Sequence, residues 1–155
     1  TGNMGSEMRM NYTMMGDTVN LAARLESSAK QYGVYNFVGE NIYEAAKEKF
    51  IFRFLDFVKV KGKNIPVKVY ELIANKNDSN HSAINLIRIF EKGIDFYFQK
   101  DWDKAIECFE KAEKLEDHFT SRNTTPSSVY IKRCSSLKEN PPDSEWDGVW
   151  SMTSK

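Results

Sequence analysis

Gly16-Asp17-Thr18-Val19-Asn20-Leu21-Ala22-Ala23-Arg24-Leu25 is a polar turn that runs straight into a strong helix former. Asp17 or Thr18 can cap that helix, since a short side-chain oxygen accepts one of the orphan N–H groups of the first turn. Gly33 can close it in the left-handed conformation, which predicts a helix over 18–32. Asn20 and Arg24 are four apart and share one face, while Leu21, Leu25 and Ala29 form a separate apolar stripe. A guanidinium fork matches phosphate oxygens, and an amide offers both a donor and an acceptor to a ribose oxygen. An Asn and an Arg on a helix are more often a solvated surface, and the ten residues alone favour that plainer reading over the functional one.

Working outward, Met8 to Met15 roughly alternates as a half-buried strand does, with Thr13 on the side opposite Met8, Met10, Tyr12 and Met14. Val34 to Val38 suits a short buried strand, and Asn41-x-x-Glu44 has the capping-box spacing for a second helix to about Lys49. From Ile51 to Lys61 the even positions Phe52, Phe54, Val58 and Val60 are apolar, with Asp56 the exception, and Lys59 and Lys61 share the other face. Gly62-Lys63-Asn64 reads as the turn of a hairpin that returns over Val67 to Ile73, with Pro66 tolerable at its start. Strand, helix, strand, helix and hairpin in that order are α+β in character.

Asn75 to Ser82 is Asn/Asp/Ser-rich, which places a boundary between 1–75 and a linker at 76–82. Two helical patterns follow, at about Ala83 to Lys100 and Trp102 to Glu116, the second capped by Asp101, and a third runs from Val129 to Leu137. Pro141-Pro142 stops the third, so the helical segment is 83–138 and a tail fills 139–155. Trp146, Val149, Trp150 and Met152 give that tail an apolar payload, suited to covering a groove on the helices or to a contact with another chain.

The chain has 155 residues and a formal net charge of zero, so no general attraction to a nucleic-acid polymer or an acidic membrane follows. No apolar run approaches the ~20 residues that cross a bilayer, and no signal-peptide pattern opens the sequence. Cys108 and Cys134 are too few for a disulfide framework or a zinc site, which points to a reducing, cytoplasmic setting.

The run from Gly2 to Glu26, Gly2-Asn3-Met4-Gly5-Ser6-Glu7-Met8-Arg9-Met10-Asn11-Tyr12-Thr13-Met14-Met15 and onward through Asn20 and Arg24, closely resembles the second half of class III nucleotidyl cyclase catalytic domains. There a Gly-rich strand, a second strand and an Asn-x-x-x-Arg helix follow one another. The resemblance implies that 1–75 is the C-terminal half of a ferredoxin-like cyclase domain, and that the chain is a fragment whose parent could be anchored by upstream segments. It implies that Asn20 orients the ribose, that Arg24 stabilises the pentacoordinate phosphorus, and that Lys61 holds the terminal phosphates, with Lys63 a second choice. Thr13 matches the purine-selecting position and favours adenine. Two ions, Mg or Mn, are implied, with carboxylate ligands upstream of this chain. Asp17 is explained as a cap, Asp56 as a strand-surface residue and Glu7 as a loop residue, and none is promoted to a metal ligand. Each active site of this family forms between two catalytic domains, so a homodimer is implied.

Gly93, Phe96, Ala105, Phe109 and Ala112 fall at the spacings of the tetratricopeptide repeat, with Ile89 and Asp117 departing from its pattern. A single repeat cannot bury both its faces and should pack on the cyclase part, on the helix that follows, or on a protein partner. The expected function is adenylate cyclase, ATP to cyclic AMP and pyrophosphate, with the fragment alone inactive and the helical segment regulating pairing. The alternatives are an inactive cyclase-like interaction module and a guanylate cyclase.

Overall fold

The computed structural model describes residues 27–60, 65–78, 81–118 and 121–152. Helix α1 is described over 27–32. It is followed by β1 (Phe37–Gly39), α2 (Glu40–Ala46), β2 (Phe50–Val60), β3 (Val67–Asn75), α3 (His81–Phe98), α4 (Trp102–Glu113), α5 (Pro126–Glu139) and β4 (Trp150–Met152). The strands form one sheet in the order β1-β3-β2-β4, antiparallel except for the parallel β2–β4 pair. Mixed α/β character with a small, mainly antiparallel sheet therefore agrees with the sequence.

α1 ends as its glycine requires. The Val34 N–H bonds back to the Ala29 carbonyl at 2.9 Å, and Gly33 stands at φ +77°, the helix-ending pattern that favours Gly. Val34, expected to open a strand, is consumed in this cap, so β1 starts three residues later. α2 also departs from expectation. It starts at Glu40 with Gly39 as its N-cap and no side-chain cap bond, so Asn41 and Glu44 form no capping box.

The β2–β3 hairpin is where expected, but its faces are not. Arg53 pairs with Glu71 and Phe54 with Tyr70, then a bulge at Leu55 brings Asp56 opposite Val69 and Val58 opposite Val67. An extra residue reverses strand parity. Phe52 and Phe54 thus share one face with Tyr70 and with Tyr43 of α2, whose ring stacks on Tyr70 at 3.9 Å. Arg53, Asp56, Val58 and Val69 face the other way, into the core. Asp56 is a correction in its own right: read as a strand-surface residue, it is 0% exposed.

That core is one cluster, joining Ala29 and Tyr32 of α1, Phe37, Leu55, Val58 and Val69 of the sheet, and Leu86, Phe90, Phe109 and Tyr130 of α3 to α5. α3 and α4 run antiparallel: Tyr97 meets Trp102 near the turn, and Phe90 meets Phe109 further along. Gly93 is what lets them approach, because a Cβ there would lie 2.8 Å from the Phe109 ring. Asp101 caps α4 through Lys104 N–H, as expected, and α5 begins earlier than expected because Thr125 caps it with Pro126 in its first turn. α4 ends at Glu113, short of the expected Glu116, and the chain turns so that Glu116 dips into the core.

The tail covers the helices and then does something the sequence did not announce. Trp146 packs edge-on against Tyr97 and Trp102 at 5.3 and 5.5 Å, and β4 joins the sheet beside Val58–Val60. After Pro141 and Pro142 the chain turns at 144–145, where the Trp146 N–H bonds back to the Asp143 carbonyl at 3.2 Å.

Candidate functional site

Thr13, Asn20, Arg24 and Lys61 all lie outside the described residues, as does Lys63. What the structure shows is the framework on either side of them. Ser27, where the description of α1 begins, is three residues after Arg24, and Lys61 directly follows Val60, the last residue of β2.

The end of α1 is fastened by a buried charge network. Arg133 of α5 donates from Nη1 to Asp56 Oδ2 at 2.7 Å and from Nη2 to the Tyr32 hydroxyl at 3.1 Å. The Tyr32 hydroxyl donates to the same Asp56 oxygen, and the Phe57 N–H donates to Asp56 Oδ1 at 2.8 Å. Arg133 is 7% exposed at its side chain and Asp56 0%, so each charge depends on the other: a buried ion left alone is strongly disfavoured. Burial would lower the Arg133 pKa, yet the Asp56 charge outweighs it and the guanidinium is held charged. Burial, reinforced by Asp56, pushes the Tyr32 phenol far up, so it stays a proton donor. Beside this group the Tyr130 hydroxyl donates to the Leu55 carbonyl at 2.6 Å, satisfying backbone that the bulge leaves without a strand partner.

A second network ties the sheet to the α4–α5 connection. Arg53 donates from Nε and Nη2 to Glu71 Oε1 at 3.0 and 2.5 Å and from Nη1 to Glu116 Oε2 at 2.8 Å. Glu116 Oε2 also accepts from the Ser127 N–H and hydroxyl at 3.1 and 2.6 Å. The guanidinium lies 4.8 Å from the Phe90 ring centroid. Burial pushes the Glu71 carboxyl up, with Arg53 offsetting it only in part.

A cleft of about 200 Å³ opens beside this second network, lined in part by Gly33, Tyr35, Asn36, Glu71, Glu116 and Asp117. It is smaller than the ~300 Å³ at which small-molecule pockets begin, and Glu71 and Glu116 in its wall are already paired with Arg53. Burial raises the Cys134 thiol to about 12 and keeps it protonated, so it is no nucleophile at neutral pH. Among the described residues no three His, Cys, Asp or Glu side chains group as a metal site, and Asp56, Glu71 and Glu116 are each engaged by an arginine. These residues build a clamp rather than a reaction centre. The sequence carried a signal for it: Arg53 and Asp56 are charges inside an apolar strand, where burial demands a partner.

Three similar proteins carry the name adenylate cyclase. The chain is 31% identical over 137 residues to "Adenylate cyclase, terminal-differentiation specific" of Dictyostelium discoideum, 86% of this chain and 6% of that protein. It is 38% identical over 72 residues to "Adenylate cyclase 1" of Rhizobium meliloti (strain 1021), 46% of this chain and 11% of that protein. It is 38% identical over 76 residues to "Adenylate cyclase" of Anabaena cylindrica, 47% of this chain and 15% of that protein. The chain thus spans a small part of each relative's length. No family model and no solved structure matches it. The similarities support a cyclase family. A match over 86% of the chain must also run through the α3–α4 hairpin, whereas the two shorter ones reach about half the chain. No described helix is long and apolar enough to cross a membrane.

Proposed function

We propose that this chain is the C-terminal half of a class III cyclase catalytic domain joined to a helical segment, in a parent enzyme that converts ATP to cyclic AMP and pyrophosphate. The observation that carries the reading is the 137-residue similarity to a protein named adenylate cyclase, in a chain that holds Thr13, Asn20-x-x-x-Arg24 and Lys61 in the family's order. In this reading the ribose 3′-hydroxyl attacks the α-phosphate in line and pyrophosphate leaves. Asn20 holds the ribose, Arg24 places its guanidinium where charge grows on phosphorus, Lys61 binds the terminal phosphates, and the Thr13 hydroxyl accepts from the adenine amino group. Two metal ions would neutralise the triphosphate; the described residues hold no group that fits them, and their ligands are assigned to the other part of the parent's catalytic domain. The site is completed by a second copy of the catalytic domain in a cytoplasmic homodimer, and the α3–α4 hairpin is read as one tetratricopeptide-type unit, supported by the Gly93–Phe109 approach.

The test uses the intact parent. Arg24→Ala should leave the melting temperature nearly unchanged and slow cyclic AMP formation on the order of a hundredfold. Undiminished turnover in that variant removes Arg24 from the mechanism. Preference for GTP over ATP would make the enzyme a guanylate cyclase, no product from either would favour an interaction module, and the 155-residue chain alone should make no product.

A further inference from the structure

The sheet face turned away from the core carries a second cleft, walled by Tyr43 of α2 and one flank of α3, that neither charge network uses. Its volume is about 340 Å³, within the range of small-molecule sites, which begins at ~300 Å³. Its floor is aromatic. The Phe52 ring stands at 76° to both Tyr43 and Tyr70, and the Phe54 ring at 79° to Tyr70 and 63° to Phe57. Rings crossed so steeply cannot all turn their edges to one cleft. Ring faces, the negative side of the quadrupole, therefore line part of it.

The α3 wall adds Glu91 and Asp95, four residues apart on one flank, where like charges repel. Neither forms an ion pair among the described residues. The Phe54 N–H hydrogen-bonds the Glu91 carboxylate and holds it at the aromatic floor, where desolvation pushes its pKa up. Such a carboxylate gains from a neighbouring cation. Lys68, also in the lining, has its Nζ 5.7 Å from the Phe57 ring centroid, while Lys47, over Tyr43, is paired with Glu44 at 2.9 Å. Two carboxylates against one ammonium leave the lining net negative. From the crossed rings and this charge balance we infer that the cleft binds a small organic cation of the quaternary ammonium class, seated on the Phe52 and Phe54 rings with Glu91 and Asp95 as counter-charge. Ring faces satisfy N–H donors poorly, and a quaternary ammonium has none to leave unpaired. The site lies wholly among described residues and does not depend on the cyclase reading.

The experiment titrates choline into the 155-residue chain and reads the NMR shifts of the Tyr43, Phe52 and Phe54 ring protons. Its control is the uncharged analogue in which a tert-butyl group replaces the trimethylammonium. Choline should bind about tenfold more tightly than that analogue, because only a charge engages the ring faces and carboxylates. Glu91→Gln keeps the shape and should weaken choline about threefold to fivefold while leaving the analogue unchanged. Phe52→Leu should weaken choline by about the same factor, and Lys68→Met, which removes a competing ammonium, should tighten it. Equal affinity for the analogue, shifts confined to other residues, undiminished binding in folded Glu91→Gln or weaker binding in Lys68→Met overturns the inference. Binding to phosphatidylcholine vesicles without binding of free choline also overturns it, since the surface would then be reading a membrane.

Discussion

Arg53 shows how much of this molecule's specificity sits in single charges. It lies in a run of aromatic and aliphatic residues, and its position on β2 puts the guanidinium among core side chains at 2% exposure. Burying an ion is costly, and two carboxylates, Glu71 and Glu116, offset that cost only while the guanidinium is present. Arg53→Met should therefore destabilise the chain by about 3 to 5 kcal/mol, measured by urea unfolding at neutral pH. The deficit should shrink as pH falls. Burial already raises the Glu71 carboxyl and Arg53 opposes that rise, so without Arg53 the group stands further above its unfolded value, and a group so raised costs stability as pH climbs through its folded pKa. A deficit independent of pH would show that the two carboxylates find other partners. The residues were visible in the sequence as misplaced charges, but their pairing was not: Arg53 and Glu116 are 63 positions apart, and Asp56 and Arg133 are 77 apart.

At the scale of elements, local rules did well where structure is local. The helical patterns of α3 and α4, the Asp101 cap, the β2–β3 hairpin and the Gly33 stop all follow from spacing and capping chemistry within a few residues. Gly33 combines two demands, a positive φ and a backbone neighbour at contact distance. Gly33→Ala should cost about 2 kcal/mol or more and lower the thermal midpoint by several degrees, because strain and clash add. A shift smaller than that of Gly39→Ala, at a half-buried position where no backbone crowds the new Cβ, would deny the close approach. Local rules failed at the Leu55 bulge. One extra residue moved Asp56 and Val58 to the face opposite Phe52 and Phe54, and nothing in the alternation of the strand itself marks where parity changes.

For the molecule as a whole, the Asn/Asp/Ser-rich stretch after β3 marks a change of composition, while the hydrophobic core runs across it from Val69 to Leu86 and Phe90. Cutting the chain after Asn75 should leave Phe37, Leu55, Val58 and Val69 without their helical cover and Arg53 and Asp56 without Glu116 and Arg133. That 75-residue piece should aggregate or show no cooperative melting by circular dichroism; a sharp two-state transition would mean the sheet carries its own core. The sequence by itself determined the hairpin, the helical character of α3 to α5 and the Gly33 helix stop, since each depends on near neighbours, and through a motif it proposes Thr13, Asn20, Arg24 and Lys61 as nucleotide-contacting residues. Only the tertiary structure decided which strand face is buried, that Asp56 and Arg53 are paired rather than solvated, and that the tail returns as β4. Those outcomes depend on partners dozens of residues away, whose meeting is governed by the packing of the whole core rather than by any local preference.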